Sequence, residues 1–232
     1  MDIHGLQKLT LLDYPGRVAC TVFLGGCNLR CPFCHNSELL DAHAAEPVMD
    51  DAELLKFLEN RRGVLDGVCI TGGEPTLRPE LSDLLRSIKA LGYPVKLDTN
   101  GCFYEHLAYL LSEGLVDYVA MDIKNSPDRY AETCGLMCMD LSPVYDSIEL
   151  LIKGSVDYEF RTTVVDELHD ENCFYEIGRL LTGAKRYFLQ PFTDRDTVAF
   201  SGLHAPDAER LAGYAEIVRP YVQSVAIRGQ DQ

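Results

Sequence analysis

Segments with the patterns of strands and helices alternate about six times along this chain, and this alternation is the feature that most limits its fold. Residues 68–71 and 95–99 are short apolar runs typical of buried strands. Residues 79–91 instead repeat leucine and isoleucine at the three- and four-residue spacing of a helix. Short connections between alternating elements imply parallel strands with right-handed helical crossovers. The pattern therefore predicts an α/β fold, and a sheet that closes partly would give a partial (β/α)6 TIM-like barrel.

The chain is predicted to form a single domain over residues 1–232, because no linker or low-complexity tract interrupts the alternation. Residues 1–24 would contribute an N-terminal β-hairpin and the first strand, with Asp13-Tyr14-Pro15-Gly16 as a turn signal. Residues 25–37 would form the loop that leaves this first strand.

The charge of the chain argues against a nucleic-acid partner. Its formal net charge is −15, whereas contacts with phosphates need clustered lysine and arginine. Residues 1–35 do not share this acidity, since they carry three basic side chains and two acidic ones. No apolar run approaches the ~20 residues that span a bilayer, and the first residues lack the basic-then-apolar order of a signal peptide. We therefore expect a soluble cytoplasmic protein with no membrane partner.

Three of the nine cysteines lie within eight residues of one another, at the spacing C-x-x-x-C-x-x-C. Cys27, Cys31 and Cys34 follow a strand-like apolar run, residues 18–24, and the pair Gly25-Gly26. Such a loop can wrap three thiolates around one metal centre. Three ligands on a four-iron cluster leave one iron without a protein ligand, which is where chemistry can occur. The motif therefore favours an iron–sulfur site.

A structural zinc site is the second interpretation of this loop. His35 directly follows Cys34, and three thiolates with one imidazole can bind zinc tetrahedrally. Adjacent residues ligate one ion only with strain, and structural zinc sites more often use two separated pairs of ligands. The spacing therefore favours iron–sulfur over zinc.

The cysteines outside this motif are scattered along the chain. Cys20 and Cys69 lie in apolar strand-like runs and are predicted to be core residues. Cys102, Cys134 and Cys138 lack an evident fourth ligand for a second cluster, so we interpret them as incidental or redox-responsive thiols.

Polar or glycine-bearing segments follow three of the predicted strands. They are Gly72-Gly73-Glu74, residues 98–101 and residues 122–124. The carboxyl ends of parallel strands form the active-site edge of such folds, so we expect these segments and the cysteine loop around one opening. Two glycines let a backbone approach a ligand closely, and a carboxylate suits an ammonium group.

Each of these segments also has an ordinary structural interpretation. Gly72-Gly73-Glu74 would pass as a simple turn before Pro75. Asp98 and Asn100 fit an Asx-type turn, and Lys124 fits a surface salt bridge.

The cysteine motif, with an aromatic residue at Phe33, resembles the signature of the radical S-adenosylmethionine (SAM) enzymes, whose fold is a partial (β/α)6 barrel. In that family the three cysteines hold a 4Fe-4S cluster, and the fourth iron binds the amino and carboxylate groups of SAM. Reductive cleavage of SAM then yields methionine and a 5′-deoxyadenosyl radical. Gly72-Gly73-Glu74 looks like the family's second motif, which binds the methionyl amino group of SAM.

Residues 11–36, together with the motifs at 98–101 and 122–124, resemble the activating enzymes of glycyl-radical enzymes, and most of all the anaerobic ribonucleoside-triphosphate reductase activating proteins. The resemblance spans roughly residues 10–228. It implies abstraction of hydrogen from a backbone glycine of a partner glycyl-radical enzyme, with flavodoxin or ferredoxin as the electron donor. No catalytic residue is implied beyond the cluster and SAM.

The resemblance also implies the residues of the site. The cluster ligands are Cys27, Cys31 and Cys34. A monovalent cation is implied at Asp98, Thr99 and Asp122, because hard oxygen ligands suit an alkali ion. The residues implied to contact SAM are Phe33, Gly72, Gly73, Glu74, Asp98, Asn100, Lys124 and Arg161.

One position departs from the pattern of the pyruvate formate-lyase activating enzymes. Those enzymes place a histidine after a proline-aromatic pair, whereas Thr193 follows Pro191-Phe192 here. This difference weakens an assignment to pyruvate formate-lyase in particular. The remaining alternatives are a pyruvate formate-lyase-type activating enzyme and a radical SAM enzyme that acts on a small molecule.

Overall fold

A computed structural model of the chain describes residues 1–42 and 46–229. These residues group into two compact units, each of which is built from three segments of the chain. Within the described residues, the first unit takes in Met1–Asn28, Glu38–Thr99 and Phe103–Ala120, and the second takes in Leu29–Ser37, Asn100–Cys102 and Met121–Gln232.

Strands and helices alternate in the described part of the chain, as the sequence pattern predicts. The strands are β1 (Asp2–Ile3), β2 (Gly5–Thr10), β3 (Ala19–Leu24), β4 (Met49–Asp50), β5 (Gly67–Gly72), β6 (Val95–Thr99), β7 (Tyr118–Asp122), β8 (Asp157–Val164), β9 (Tyr187–Pro191) and β10 (Val225–Ile227). The helices are α1 (Asp51–Glu59), α2 (Leu81–Ala90), α3 (Tyr104–Ser112), α4 (Tyr130–Thr133), α5 (Ser142–Lys153), α6 (Glu171–Leu180) and α7 (Ala208–Val218), with 3₁₀ turns at Ser37–Leu39 and Pro75–Leu77.

The first unit contains most of the parallel sheet. Its strand order is β2-β3-β5-β6-β7, where β7 belongs to this unit as far as Ala120. Strands β2 and β3 form the predicted antiparallel hairpin, and β3, β5 and β6 run parallel to one another. The central residues of β3 and β5 are fully buried, which is typical of parallel strands covered on both faces. Cys20 lies in this core as predicted, and burial raises the pKa of its thiol to about 12.

Helix α1 shows how the sequence sets an element boundary. The carboxylate of Asp50 accepts from the backbone N–H of Glu53 at 2.8 Å, and the carboxylate of Glu53 accepts from the N–H of Asp50 at 3.1 Å. This reciprocal capping box begins the helix at Asp51. The two-residue strands β1 and β4, which pair antiparallel, were not predicted because they are too short to carry a hydrophobic pattern.

The second unit contains strands β8, β9 and β10 and the last two residues of β7. Strands β8, β9 and β10 are parallel to one another. Helices α6 and α7 pack through stacked rings of Phe174 and Tyr214, whose centroids are 4.3 Å apart. None of the helices within residues 1–42 and 46–229 is long and apolar enough to cross a membrane.

Candidate functional site

The cysteine loop begins at the end of β3, in the first unit. The backbone N–H of Gly26 donates to the carbonyl of Leu39 at 2.8 Å, and that of Cys27 donates to the carbonyl of Leu40 at 3.2 Å. Gly26 has a φ of +94°, a conformation that glycine adopts without steric cost. These two bonds fix the direction in which the chain enters the loop and the position of Cys27.

The Gly72-Gly73-Glu74 segment packs directly on the entry to the cysteine loop. The N–H of Gly73 donates to the carbonyl of Leu24 at 2.8 Å, and the N–H of Glu74 donates to the carbonyl of Gly26 at 2.7 Å. A Cβ atom on Gly72 would lie 2.2 Å from the Leu24 carbonyl oxygen, and one on Gly73 would lie 2.1 Å from that of Gly26. Both glycines are therefore required by contact between two backbones, a reason that the sequence alone does not reveal.

The carboxylate of Glu74 is buried, with a residue exposure of 1%. Its Oε1 accepts from the N–H of Thr76 at 3.0 Å and from the hydroxyl of Thr99 at 2.8 Å, and it also accepts from the Thr76 hydroxyl. His106 in α3 bonds through Nδ1 to the carbonyl of Thr76 at 2.8 Å. A carboxylate held by several donors at a strand end is preorganised to receive a cationic group.

Asp98 lies on β6 of the same unit and forms an ion pair with Lys96. The Nζ of Lys96 donates to the Oδ1 of Asp98, and the Lys96 side chain is only 2% exposed. Cys69 of β5, in register with Lys96, places its Sγ 3.8 Å from that Nζ. Cys69 is thus buried, as predicted, but it lies beside a charged pair rather than in a purely apolar core.

Cys31 and Cys34 belong to the second unit. The N–H of Cys34 donates to the carbonyl of Cys31 at 3.1 Å, which makes a tight turn between them. The thiol of Cys134 hydrogen-bonds to Cys31, and this bond, together with the charge of Lys124, lowers the pKa of Cys31 to about 7 against the effect of burial. Burial raises the pKa of Cys34. Cys134, interpreted above as an incidental or redox-responsive thiol, lies against a predicted cluster ligand.

The Cys134 segment supports the middle of the cysteine loop. The N–H of Arg30 donates to the carbonyl of Cys134 at 2.9 Å. A Cβ atom on Gly135, whose φ is +71°, would lie 2.2 Å from the carbonyl oxygen of Arg30. Phe33, within the loop, is buried with an exposure of 4%.

Asp122, Lys124 and Arg161 form one charged group in the second unit. The Nζ of Lys124 lies 2.9 Å from Oδ2 of Asp122, and the Nε of Arg161 donates to Oδ1. Burial would raise the pKa of Asp122, but the guanidinium of Arg161 and the ammonium of Lys124 outweigh it and hold this pKa well below its usual range. The Lys124 pKa is raised, because the Asp122 carboxylate outweighs the opposing effect of burial. Both basic residues predicted to lie near SAM therefore meet at one carboxylate.

His169 fixes the backbone next to this group, although no local pattern in the sequence marks it as a site residue. Its Nδ1 accepts from the N–H of Val165 at 3.1 Å, and its Nε2 lies 2.9 Å from the carbonyl of Lys124. This arrangement fits a neutral imidazole that carries its proton on Nε2. Burial lowers the pKa of His169, which is 2% exposed, below the ordinary value of 6.5.

The neutral state of His169 predicts how stability changes with pH. Because the folded-state pKa is lower than the unfolded one, the contribution of His169 is complete above about 6.5 and is lost as the pH falls toward the folded value. The stability advantage of the wild type over His169→Gln should therefore shrink between pH 7.5 and pH 5. Urea unfolding midpoints at several pH values measure this difference.

His204 provides a control of the opposite sign. Glu167 raises the pKa of this exposed histidine, so its contribution is present at low pH and is lost as the pH rises through the folded value. The difference in stability between the wild type and His204→Gln should become smaller toward high pH. A stability advantage of the wild type over His169→Gln that stays constant or grows on acidification would contradict the prediction.

His35 and Asn100 are held by local contacts in the second unit. The ring of His35 stacks on Phe192 with centroids 5.6 Å apart, and its Nε2 lies 2.7 Å from the carbonyl of Thr193. This anchors the far end of the cysteine loop to the segment after β9. The Oδ1 of Asn100 accepts from the N–H of Cys102 at 3.0 Å, which is the Asx-type turn considered above.

The residues present suit an iron–sulfur cluster and SAM in their chemistry. All nine cysteines are described and are present as thiols, so three soft sulfur donors are available on one short loop. The buried carboxylate of Glu74 suits an ammonium group. No group of three or more histidine, cysteine, aspartate or glutamate side chains within residues 1–42 and 46–229 is arranged as ligands of a single metal ion.

A monovalent cation fits the described residues less well. The Asp98 carboxylate holds the Lys96 ammonium, the Thr99 hydroxyl donates to Glu74, and Asp122 holds two basic side chains. Each carboxylate of the predicted cation site therefore already has a positively charged partner within its own unit.

Comparison with known proteins assigns the chain to a family. The Radical SAM superfamily model matches residues 21–173. A protein of Methanocaldococcus jannaschii named as a putative glycyl-radical enzyme activating enzyme is 32% identical over 97% of this chain and 95% of its own length. The pyruvate formate-lyase-activating enzyme of Listeria monocytogenes is 25% identical over 90% of this chain and 92% of its own length. That of Clostridium pasteurianum is 35% identical, but over only 54% of this chain and 53% of its own.

Solved structures share the fold. A domain of pyruvate-formate lyase-activating enzyme from Bacteroides vulgatus matches 70% of this chain and 99% of its own at 20% identity, with a TM-score of 0.57. SuiB of Streptococcus suis, in complex with the precursor peptide SuiA, matches 90% of this chain and 48% of its own at 14% identity, with a TM-score of 0.70. The parallel α/β architecture is thus the partial TIM-like barrel type predicted above. The chain belongs to the radical SAM superfamily of enzymes, in the group that activates glycyl-radical enzymes.

Proposed function

We propose that this chain uses a 4Fe-4S cluster and SAM to activate anaerobic ribonucleoside-triphosphate reductase. It would abstract a hydrogen atom from a backbone glycine of that partner and leave a glycyl radical there. Membership of the radical SAM superfamily supports the two cofactors. Similarity over 97% of the chain to a protein named as a glycyl-radical enzyme activating enzyme supports the reaction class.

One observation carries this proposal: the backbone N–H groups of Gly73 and Glu74 donate hydrogen bonds to the carbonyls of Leu24 and Gly26, at the entry to the cysteine loop. A motif suited to the ammonium group of an amino acid is thereby fixed to the strand end that presents Cys27. The buried carboxylate of Glu74 is held in place by Thr76 and Thr99.

We assign the cluster to Cys27, Cys31 and Cys34. When bound, the reduced cluster supplies the electron that cleaves SAM into methionine and a 5′-deoxyadenosyl radical. In our proposal the residues of the chain bind and orient SAM rather than transfer protons. The Glu74 carboxylate receives the methionyl ammonium group of SAM. The positive charges of Lys124 and Arg161 attract the carboxylate group of SAM.

The remaining assignments have supporting roles. Gly72 and Gly73 give the strand end its close backbone packing. Phe33 lies in the cysteine loop after β3, Asn100 directly follows β6, and both are buried. We assign these two side chains to the adenosyl portion of SAM. The electron donor is proposed to be a flavodoxin or a ferredoxin.

Thr193 supports a partner other than pyruvate formate-lyase. The carbonyl of Thr193 bonds to His35, and no histidine side chain stands at this position as it does in the pyruvate formate-lyase activating enzymes described above. Relatives that activate pyruvate formate-lyase nevertheless match much of the chain, so pyruvate formate-lyase is the second candidate.

The test mixes anaerobically reduced protein and SAM with each candidate partner in turn. We expect a glycine-centred EPR signal with anaerobic ribonucleotide reductase, and none when its substrate glycine is replaced by alanine. A signal with pyruvate formate-lyase alone would overturn the choice of partner but keep the reaction. Absence of any glycyl signal, with steady cleavage of SAM in the presence of a small metabolite, would replace the protein substrate with a small molecule. A colourless protein with one zinc and no iron would overturn the whole proposal.

A further inference from the structure

Lys96 is a buried lysine for which the proposed reaction has no use. Its side chain is 2% exposed and points from β6 to the Asp98 carboxylate, two residues along the same strand. Alternate residues of a strand lie on one face, so the two charges meet without any bend in the chain. An ammonium buried this deeply is costly unless a carboxylate pairs with it. The pair is therefore a fixed part of the strand end.

Asp98 is also one of the residues at which a monovalent cation was predicted. An alkali ion at a carboxylate contributes one positive charge beside hard oxygen atoms. The ammonium of Lys96 contributes the same charge to the same carboxylate, and its attachment to the backbone removes the entropy cost of capturing an ion. Asp122 is likewise neutralised by the chain itself, through Lys124 and Arg161.

We propose that the ammonium of Lys96 replaces an alkali cation at Asp98, so that this chain binds SAM without Na⁺ or K⁺. The inference rests on the proposed SAM site. Its rival is that the Lys96–Asp98 pair only stabilises β6 and has no influence on the ligand. The two differ in what an alkali ion should do after the lysine is removed.

The first measurement uses the wild-type protein with its cluster reconstituted anaerobically. The dissociation constant for SAM is measured by equilibrium dialysis in choline chloride and in potassium or sodium chloride at equal ionic strength. We expect the same affinity in all three salts. Weaker binding in choline chloride alone would overturn the inference, and this result does not depend on whether any variant folds.

The second measurement uses Lys96→Ala, which removes the tethered charge and leaves space beside Asp98. In choline chloride its affinity for SAM should fall by roughly 10- to 100-fold, because the Asp98 carboxylate would be left without its positive partner in the proposed SAM site. Potassium or methylammonium chloride should restore much of this loss. Lys153→Ala, which removes an exposed lysine from the end of α5, should bind SAM as the wild type does in every salt.

The outcomes separate the two proposals. A folded Lys96→Ala protein that binds SAM normally, or equally weakly in every salt, would overturn the role of Lys96 as a replacement cation. A wild-type protein that carries iron and sulfide but binds no SAM in any salt would instead overturn the proposed function.

Discussion

Replacing Cys31 with alanine should yield a colourless protein that holds no 4Fe-4S cluster and cleaves SAM only at background level. Cys31 is assigned as one of three ligands, and two remaining thiolates cannot hold a cluster that already lacks a fourth protein ligand. Cys27→Ala and Cys34→Ala should behave in the same way. Iron and sulfide content, the visible absorption spectrum and SAM cleavage under a chemical reductant measure the effect.

Cys134→Ala is the matched control, because Cys134 hydrogen-bonds to Cys31 but is not assigned as a ligand. This variant should keep its iron, its sulfide and its colour. Cys138→Ala, at an exposed position, should do the same. Loss of the cluster from Cys134→Ala but not from Cys31→Ala would show that the ligand set has been assigned wrongly.

Replacing Gly73 with alanine should have the largest effect on the fold near the site. The new methyl group would lie 2.1 Å from the Gly26 carbonyl oxygen. The methyl carbon is bonded directly to Cα and the oxygen belongs to the backbone, so no side-chain rotation relieves the clash. The strand end would have to separate from the loop entry, breaking the 2.7 Å bond from the Glu74 N–H to Gly26. We expect a loss of about 3 kcal/mol in the free energy of unfolding, together with poor retention of the cluster.

Gly213→Ala is the control for the same chemical change. Gly213 lies within α7, and an added Cβ atom would meet nothing within 4 Å. Alanine should therefore stabilise this helix by about 0.5–1 kcal/mol. Urea unfolding of both variants measures these changes in the free energy of unfolding. A Gly73→Ala protein as stable as the wild type would exclude the steric argument.

The elements of the fold were predictable where a local signal marks them. Asp50 and Glu53 have the spacing of a capping box, and α1 begins there. The helix predicted at residues 79–91 is found at Leu81–Ala90, since its apolar face repeats clearly. Strands β1 and β4 were missed because two residues carry no periodicity.

The supporting contacts of the site were not predictable, because they join residues far apart in the chain. Nothing in the sequence distinguishes Lys96 from an exposed lysine, and only the structure shows that it is buried beside Asp98. Cys134 follows Cys31 by more than one hundred residues, and only the fold places them together. The two-residue spacing that places Lys96 and Asp98 on one face of a strand was the available signal of their ion pair. This spacing becomes informative only once β6 is known to be a buried strand.

The bonds that hold the cysteine loop have a consequence for assembly of the cluster. The loop is tied at Gly26 and Cys27 to the Leu39-Leu40 backbone, at Arg30 to Cys134, and internally from Cys34 to Cys31. Much of the conformational entropy of the loop is therefore lost during folding of the polypeptide rather than during metal binding. The thiols meet incoming iron on a loop that is already shaped, so loss of the cluster should leave a folded protein that can accept a new one.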